Sequence, residues 1–219
     1  MNITKFGHCC LLIEESSVRI LTDPGSYNAT PDVEHIDVIL ITHEHQDHLH
    51  IDSLRKILTK NPQAQAISHA SVGKILDEAG IIYTLIAAGE EIIVKGVSIE
   101  SCGSEHACIQ PDLPAVQNTG FYINKILFYP GDSFHNPHKD IALLALPVAG
   151  PWMKLSEAIE YAKLVKPKVA FPVHDGMLRQ GRELGPTRRI PTLLLAPLGI
   201  TYVDMQEGSV QNFNSFLSR

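Results

Sequence analysis

The sequence predicts an α/β (α+β) protein built as a four-layer αββα sandwich, two mixed β-sheets face to face with helices outside. Three observations carry this. Both halves of the chain are rich in strand-like runs and interleave them with amphipathic helical segments. Residues 37–42 (Asp-Val-Ile-Leu-Ile-Thr) are almost wholly apolar, as a strand buried on both faces requires. The chain of 219 residues is 44% hydrophobic and 19% charged, and no Ser/Gly-rich or Pro-rich stretch divides its halves, so one domain over 1–219 with a sizeable core is expected.

Residues 3–6, 9–14 and 18–22 are apolar or β-branched runs separated by Gly7-His8 and Glu15-Ser16-Ser17, and read as a meander. After the run at 37–42, Ile51, Leu54, Ile57 and Leu58 recur at helical spacing until Asn61-Pro62 stops them. Residues 64–68 read as a strand, and Val72, Ile75, Leu76 and Ala79 as a helix closed by Gly80. Residues 92–94 and 97–101 flank Lys95-Gly96 as a hairpin. Strands follow at 120–124, 126–129 and 141–147, then a helix at 155–165 ending before Pro167, and a strand at 169–172. Residues 188–196 read as a helix interrupted by Pro191, and 201–204 with 209–213 as a closing hairpin.

A formal charge of −6 with no Lys/Arg run gives no footprint for nucleic acid. Met1 leads into Ile3-Thr4-Lys5-Phe6 without a basic, apolar leader, and no apolar run approaches membrane-spanning length, so a cytoplasmic protein without a membrane partner is expected. Cys9, Cys10, Cys102 and Cys108 are expected as reduced thiols, the adjacent pair pointing to opposite faces of a strand.

Thr42-His43-Glu44-His45-Gln46-Asp47-His48 places three imidazoles and a carboxylate within six residues, just past a buried strand. Such a set suits zinc or a neighbouring divalent metal; alone it could also be a solvated loop. His106, Asp132 and His174 also sit just past apolar strands, so that one edge of the sheets collects them all. Here the chain resembles the metallo-β-lactamase superfamily, whose His-x-His-x-Asp-His motif stands as His43-x-His45-x-Asp47-His48. The resemblance covers nearly the whole chain. It is closest to the small metal-dependent hydrolases that include ascorbate-6-phosphate lactonase-like proteins, because the strand Phe6-Gly7-His8-Cys9-Cys10-Leu11-Leu12-Ile13 is similar to their opening strand.

That resemblance implies the metallo-β-lactamase fold and two divalent ions per chain, zinc first, with manganese or iron as alternatives. It implies one ion on His43, His45 and His106 and a second on Asp47, His48 and His174, with Asp132 bridging. Asp23, in Leu-Thr-Asp-Pro, looks like the family's early aspartate, expected to accept a hydrogen bond from a ligand imidazole; alternatively it initiates a turn. His8 would face the site as a substrate-binding or supporting group, or be a satisfied structural histidine. His135 would reach the pocket mouth or stay, with His138, an ordinary loop residue. His35, His50 and His69 read as structural or surface residues. Cys102-x3-His106-x-Cys108 could be a zinc knuckle but lacks a fourth ligand. Trp152 and Met153 would line a pocket or pack in the core, and residues 110–118 would be a lid or a plain loop.

The expected activity is hydrolysis of an ester, lactone, amide or phosphodiester of a small-molecule substrate by hydroxide held between two metals, with Asp47 or Asp132 accepting a proton. A metal-retaining sensor and a di-iron redox protein on the same fold are the alternatives. A homo-oligomer is compatible with the resemblance.

Overall fold

The computed structural model describes residues 1–114, 116–178 and 185–217. Strands β1 (Asn2–Gly7), β2 (Cys10–Glu15) and β3 (Val18–Thr22) form the expected antiparallel meander. Onto β3 are added β4 (Val38–Leu40), β5 (Gln65–Ser68) and β6 (Tyr83–Leu85), all parallel, through crossovers carrying helices α1 (Ile51–Lys60) and α2 (Ala70–Glu78). The second half repeats the plan. Antiparallel β7 (Glu91–Val94), β8 (Val97–Cys102), β9 (Gly120–Ile123) and β10 (Leu127–Tyr129) are followed by parallel β11 (Leu143–Pro147), β12 (Val169–Val173) and β13 (Thr201–Tyr202). Its last two crossovers carry α3 (Leu155–Val165) and α4 (Pro186–Leu195). The chain then returns to the first sheet as β14 (Val210–Asn212), beside β1, and ends in the short α5 (Asn214–Leu217).

Strict alternation along the central strands produces the layers. Val38 and Leu40 of β4, Leu11 and Ile13 of β2, Leu127 and Tyr129 of β10 and Phe171 of β12 meet between the sheets. The intervening Ile39, Leu12 and Leu21 pack against Leu54, Ile57, Val72 and Leu76 of α1 and α2. Phe128, Leu144, Leu146 and Ala170 pack against Ala158, Ile159 and Ala162 of α3 and Leu195 of α4. Three apolar seams therefore separate four layers, which is the αββα sandwich. Cys9 lies in the inter-sheet seam and Cys10 in the helix seam, as their adjacency requires.

The terminal pair of strands is a correction. β13 pairs parallel with β12 and β14 antiparallel with β1, so residues 201–204 and 209–213 form no hairpin with each other. Each segment is strand-like alone, but the two unfilled sheet edges are in different sheets. The edge strand β6 carries no clear alternation and was not expected. Pro191 does sit inside α4. It cannot donate to the carbonyl of Thr187, and the buried Tyr202 hydroxyl donates to that carbonyl instead at 3.2 Å, so the helix continues. No helix among the described residues is long and apolar enough to cross a membrane.

Candidate metal centre

The C-terminal ends of β3, β4, β8, β10, β11 and β12 lie along one edge of the sandwich, and the segments leaving them carry Asp23, His43–His48, His106, Asp132, Trp152 and His174. The turn after β4 is fixed by backbone hydrogen bonds from His48 and Leu49 to the His45 carbonyl, at 2.9 and 2.8 Å. The Thr42 carbonyl accepts from His69 Nε2 and from Thr119 N, both at 2.9 Å. His69 is thus structural, its other ring nitrogen accepting from Ser71 N at the start of α2.

Beneath the site lies a closed hydrogen-bond network centred on Asp23, which is fully buried. Asp23 Oδ1 accepts from Thr42 N at 2.8 Å; Oδ2 accepts from Thr42 Oγ1 (2.7 Å), His48 Nδ1 (2.8 Å) and the Tyr129 hydroxyl (2.5 Å). Because the Thr42 hydroxyl is committed to Asp23, it accepts from His43 Nδ1 at 3.0 Å. His174 Nδ1 donates to Ala149 O at 2.6 Å, and His106 Nδ1 to Ala107 O at 2.5 Å. Each partner is an acceptor, so in the neutral form of all four rings the proton sits on Nδ1 and the lone pair on Nε2.

Those lone pairs converge on Asp132, itself 2% exposed. Asp132 Oδ2 lies 2.8 Å from His174 Nε2, 3.4 Å from His106 Nε2 and 4.0 Å from His43 Nε2, and Oδ1 lies 3.1 Å from His48 Nε2. His45 completes the near side, its Nδ1 3.0 Å from His43 Nε2. Asp47 Oδ2 lies 3.6 Å from His174 Nε2 and 3.8 Å from His48 Nε2. His48 Nε2, His106 Nε2, His174 Nε2 and Asp132 Oδ1 are buried without a hydrogen-bond partner. Acceptors facing acceptors at these distances are repulsive unless a cation stands between them, a metal ion or, at His48, a proton. The residues therefore fit divalent metal, and among the described residues the four-membered groups whose donor atoms all lie within 4.8 Å of one another are His43, His45, His106 and Asp132, and His8, Asp47, His48 and His174.

Within the second group His8 differs from the other imidazoles. Its Nδ1 accepts from Gly176 N at 3.1 Å, so its Nε2 carries the proton and donates to Asp47 Oδ2 at 3.1 Å. That proton leaves no lone pair toward the cluster, and the ring orients Asp47. His8 (φ 45°), Asp23 (φ 35°) and His174 (φ 58°) all hold left-handed backbone, a conformation that costs about 1–3 kcal/mol and collects at functional sites.

Charges follow from this packing. Burial raises the Asp47 carboxyl, but the His8 hydrogen bond and nearby His48 outweigh it and hold Asp47 down at about 2. Burial and the neighbouring His48 hold His43 well below the usual imidazole range. His48 goes the other way: burial lowers it, yet Asp132 and Asp23 on its two sides hold it well above that range. A cation at its Nε2 competes with a proton there. Metal affinity is therefore expected to rise with pH through neutrality, and metal loading to release protons. Calorimetry in two buffers of unlike ionisation enthalpy measures this, and identical heats in both would contradict it.

Asn118 and Trp152 complete the surroundings of Asp132. Asn118 Oδ1 accepts from Asp132 N at 3.0 Å while its Nδ2 donates to Pro130 O at 2.9 Å. Trp152 Nε1 donates to Asp132 Oδ2 at 2.8 Å, so the tryptophan lies at the site and not simply in the core. Nothing in the local sequence marked Asn118. His135 is exposed and shares with His106 an open cleft of about 510 Å³ beside the cluster. Cys102 is buried against the α3 side of the second sheet and Cys108 is exposed, so they frame no knuckle around His106. His35 and His138 are exposed, and His50 pairs with Ser53. The stretch 110–118 is pinned at its base by His106 N to Val116 O and Asn118 N to Ser104 O; residue 115 lies outside the described residues.

The chain belongs to the Beta-lactamase superfamily, whose domain matches residues 2–174, and it is a metal-dependent hydrolase of that superfamily with the metallo-β-lactamase fold. Among its relatives, Protein Rv0786c of Mycobacterium tuberculosis is 33% identical over 184 residues, covering 81% of this chain and 85% of its own. A UPF0173 metal-dependent hydrolase of Methanocaldococcus jannaschii is 26% identical over 189 residues, covering 78% and 83%. Igni18, a metallo hydrolase from Ignicoccus hospitalis, superposes with a TM-score of 0.73 over 96% of this chain and 97% of its own at 20% identity, a likeness of fold.

Proposed function

We propose that the cluster holds two divalent ions, zinc foremost: one on His43, His45 and His106, the other on Asp47, His48 and His174, with Asp132 between them. The chain would use them to hydrolyse an ester, lactone, amide or phosphodiester of a small molecule. The observation that carries this reading is the Asp132 carboxylate, which lies 2.8 to 4.0 Å from the free Nε2 lone pairs of imidazoles belonging to both groups. Ions bound there would polarise a carbonyl or phosphoryl oxygen and lower the pKa of a bound water toward about 7.

The chain's own residues set the rest. Asp23 holds His48 directly and His43 through Thr42, keeping both rings in the tautomer that presents Nε2. His8 keeps Asp47 ionised and aimed inward through its Nε2–H. His45 and Asp47 are only half-buried, whereas His8, His43, His48, Asp132 and His174 are buried, so a substrate approaches over the first pair. Asp47, on that open side, and the buried Asp132, which the surrounding imidazoles hold ionised, are the two carboxylates that could accept a proton from that water.

Elemental analysis of the purified protein and of a His48→Ala variant, each assayed on a lactone and on bis(p-nitrophenyl) phosphate, tests the reading. About two ions per chain, falling toward one in the variant with turnover lost on whichever substrate the parent cleaves, is the expected result. Equal stoichiometry in both proteins, or no binding after reloading, would overturn the ligand assignment. Iron in place of zinc, with redox turnover and no hydrolysis, would favour the di-iron alternative.

A further inference from the structure

Trp152 is the only tryptophan in the chain. It follows β11 in the turn Gly150-Pro151-Trp152 and is 7% exposed. Its indole N–H donates at 2.8 Å to Asp132 Oδ2, the oxygen that also faces His174, His106 and His43. The ring lies edge-on to two of those imidazoles, its centroid 5.7 Å from that of His174 and 6.0 Å from that of His106. An indole offers one donor and no acceptor, so this side chain neither holds a metal nor moves a proton. What it can do is fix and partly neutralise a carboxylate.

The indole is held in that pose from the outer layer inward. Tyr161, on α3, donates its hydroxyl to His135 O at 2.7 Å and packs on Phe134, with ring centroids 5.2 Å apart. Phe134 meets Trp152 edge-on, also at 5.2 Å. On the other side of the indole, a Cβ at Gly150 would stand 2.9 Å from Nε1, closer than real contacts allow, so Gly150 is what lets the N–H reach Asp132. A helix face is thereby coupled through two rings to the central carboxylate.

We propose that Trp152 is a positioning residue for the metal pair, its indole N–H holding Asp132 Oδ2 in the orientation in which one carboxylate serves both groups of imidazoles. This rests on the two-metal reading above. Phenylalanine would keep an aromatic ring beside Phe134 while losing the N–H donor and part of the indole's volume. The expected consequence is a fall of about 10–100-fold in metal affinity, the range found when a group orienting a metal's ligand is removed. Emission from the lone tryptophan should also report loading directly.

The experiment is Zn²⁺ titration of the metal-free wild type, Trp152→Phe and Gly150→Ala, read by competition with a chromophoric chelator and, where Trp152 is present, by its fluorescence. The expected result is two ions per wild-type chain with a change in emission on loading. Trp152→Phe should bind about 10–100-fold more weakly with unchanged far-ultraviolet circular dichroism. Gly150→Ala should bind more weakly with shifted emission, and it carries the test if Trp152→Phe does not fold. Both variants binding two ions as tightly as wild type would reduce Trp152 to packing and leave the two-metal reading standing. A wild type that binds fewer than two ions overturns that reading and this proposal together.

Discussion

Gly25→Ala is expected to cost about 100-fold or more in turnover although it replaces no side chain able to hold metal. Gly25 follows Asp23-Pro24 in a turn closed by Gly25 N to Asp23 O and Ser26 N to Gln46 O, both 2.8 Å. That turn presses onto the His-rich segment. A Cβ on residue 25 would stand 1.8 Å from the Asp47 carbonyl oxygen, 2.0 Å from its carbon and 2.6 Å from His48 N. All three are backbone atoms, so relief means displacing the peptide that joins Asp47 to His48 by roughly 1 Å, a misplacement that costs about 100-fold where reacting groups must be aligned. Both flanking residues belong to the same proposed metal group. The variant should keep about one ion per chain, on His43, His45 and His106, and elemental analysis beside the activity assay would read this. Two tightly held ions with parental turnover would mean that the turn yields without disturbing the centre.

The same turn separates what the sequence could tell from what it could not. Asp23 had two readings, an acceptor for a ligand imidazole or a turn initiator, and its geometry is compatible with both: its carboxylate accepts from the His48 ring while its carbonyl closes the Gly25 turn. The positions of His43, His45, Asp47 and His48 were legible because the signal is local, a short apolar strand followed by dense donors. His106, Asp132 and His174 were legible for the same reason, each standing just past a strand. Trp152 and Asn118 reach Asp132 from 20 and 14 residues away and depend on how loops from different strands lie over one another, so no periodicity encodes them. The final strands were visible as strands but not as partners, because edge pairing is decided by which sheet has room. The helix containing Pro191 survives because of a tyrosine eleven positions later, which no window centred on the helix would weigh.

Lys5 is the other residue whose weight comes from distant partners, and it supports the largest expected loss of stability. Along β1 burial alternates, and Lys5 occupies the same inward face as Ile3, an apolar position in the strand's pattern. It is 1% exposed, and its ammonium donates to Asp175 Oδ2 at 2.7 Å, to Pro172 O at 2.9 Å and to Met205 O at 3.4 Å, using all three protons. These bonds tie the first strand to the end of β12, from which His174 projects, and to the segment entering β14. Lys5→Met fills the space but leaves Asp175, whose side chain is 12% exposed, without its cation. Breaking a buried pair from one side costs about 3 kcal/mol or more, because the remaining charge stays desolvated. For a chain of this size that is a fall of roughly 6–12 °C in Tm. Adding Asp175→Asn to Lys5→Met should restore part of the loss, since the orphaned charge and not the missing lysine is the main penalty. The metal affinity of Lys5→Met should fall as well, because Pro172 and Asp175 flank His174 on either side. If thermal unfolding of the single variant matches the parent, the pair is worth no more than an exposed one, and the anchoring of His174 must come from His8, whose carbonyl accepts from His174 N at 3.1 Å.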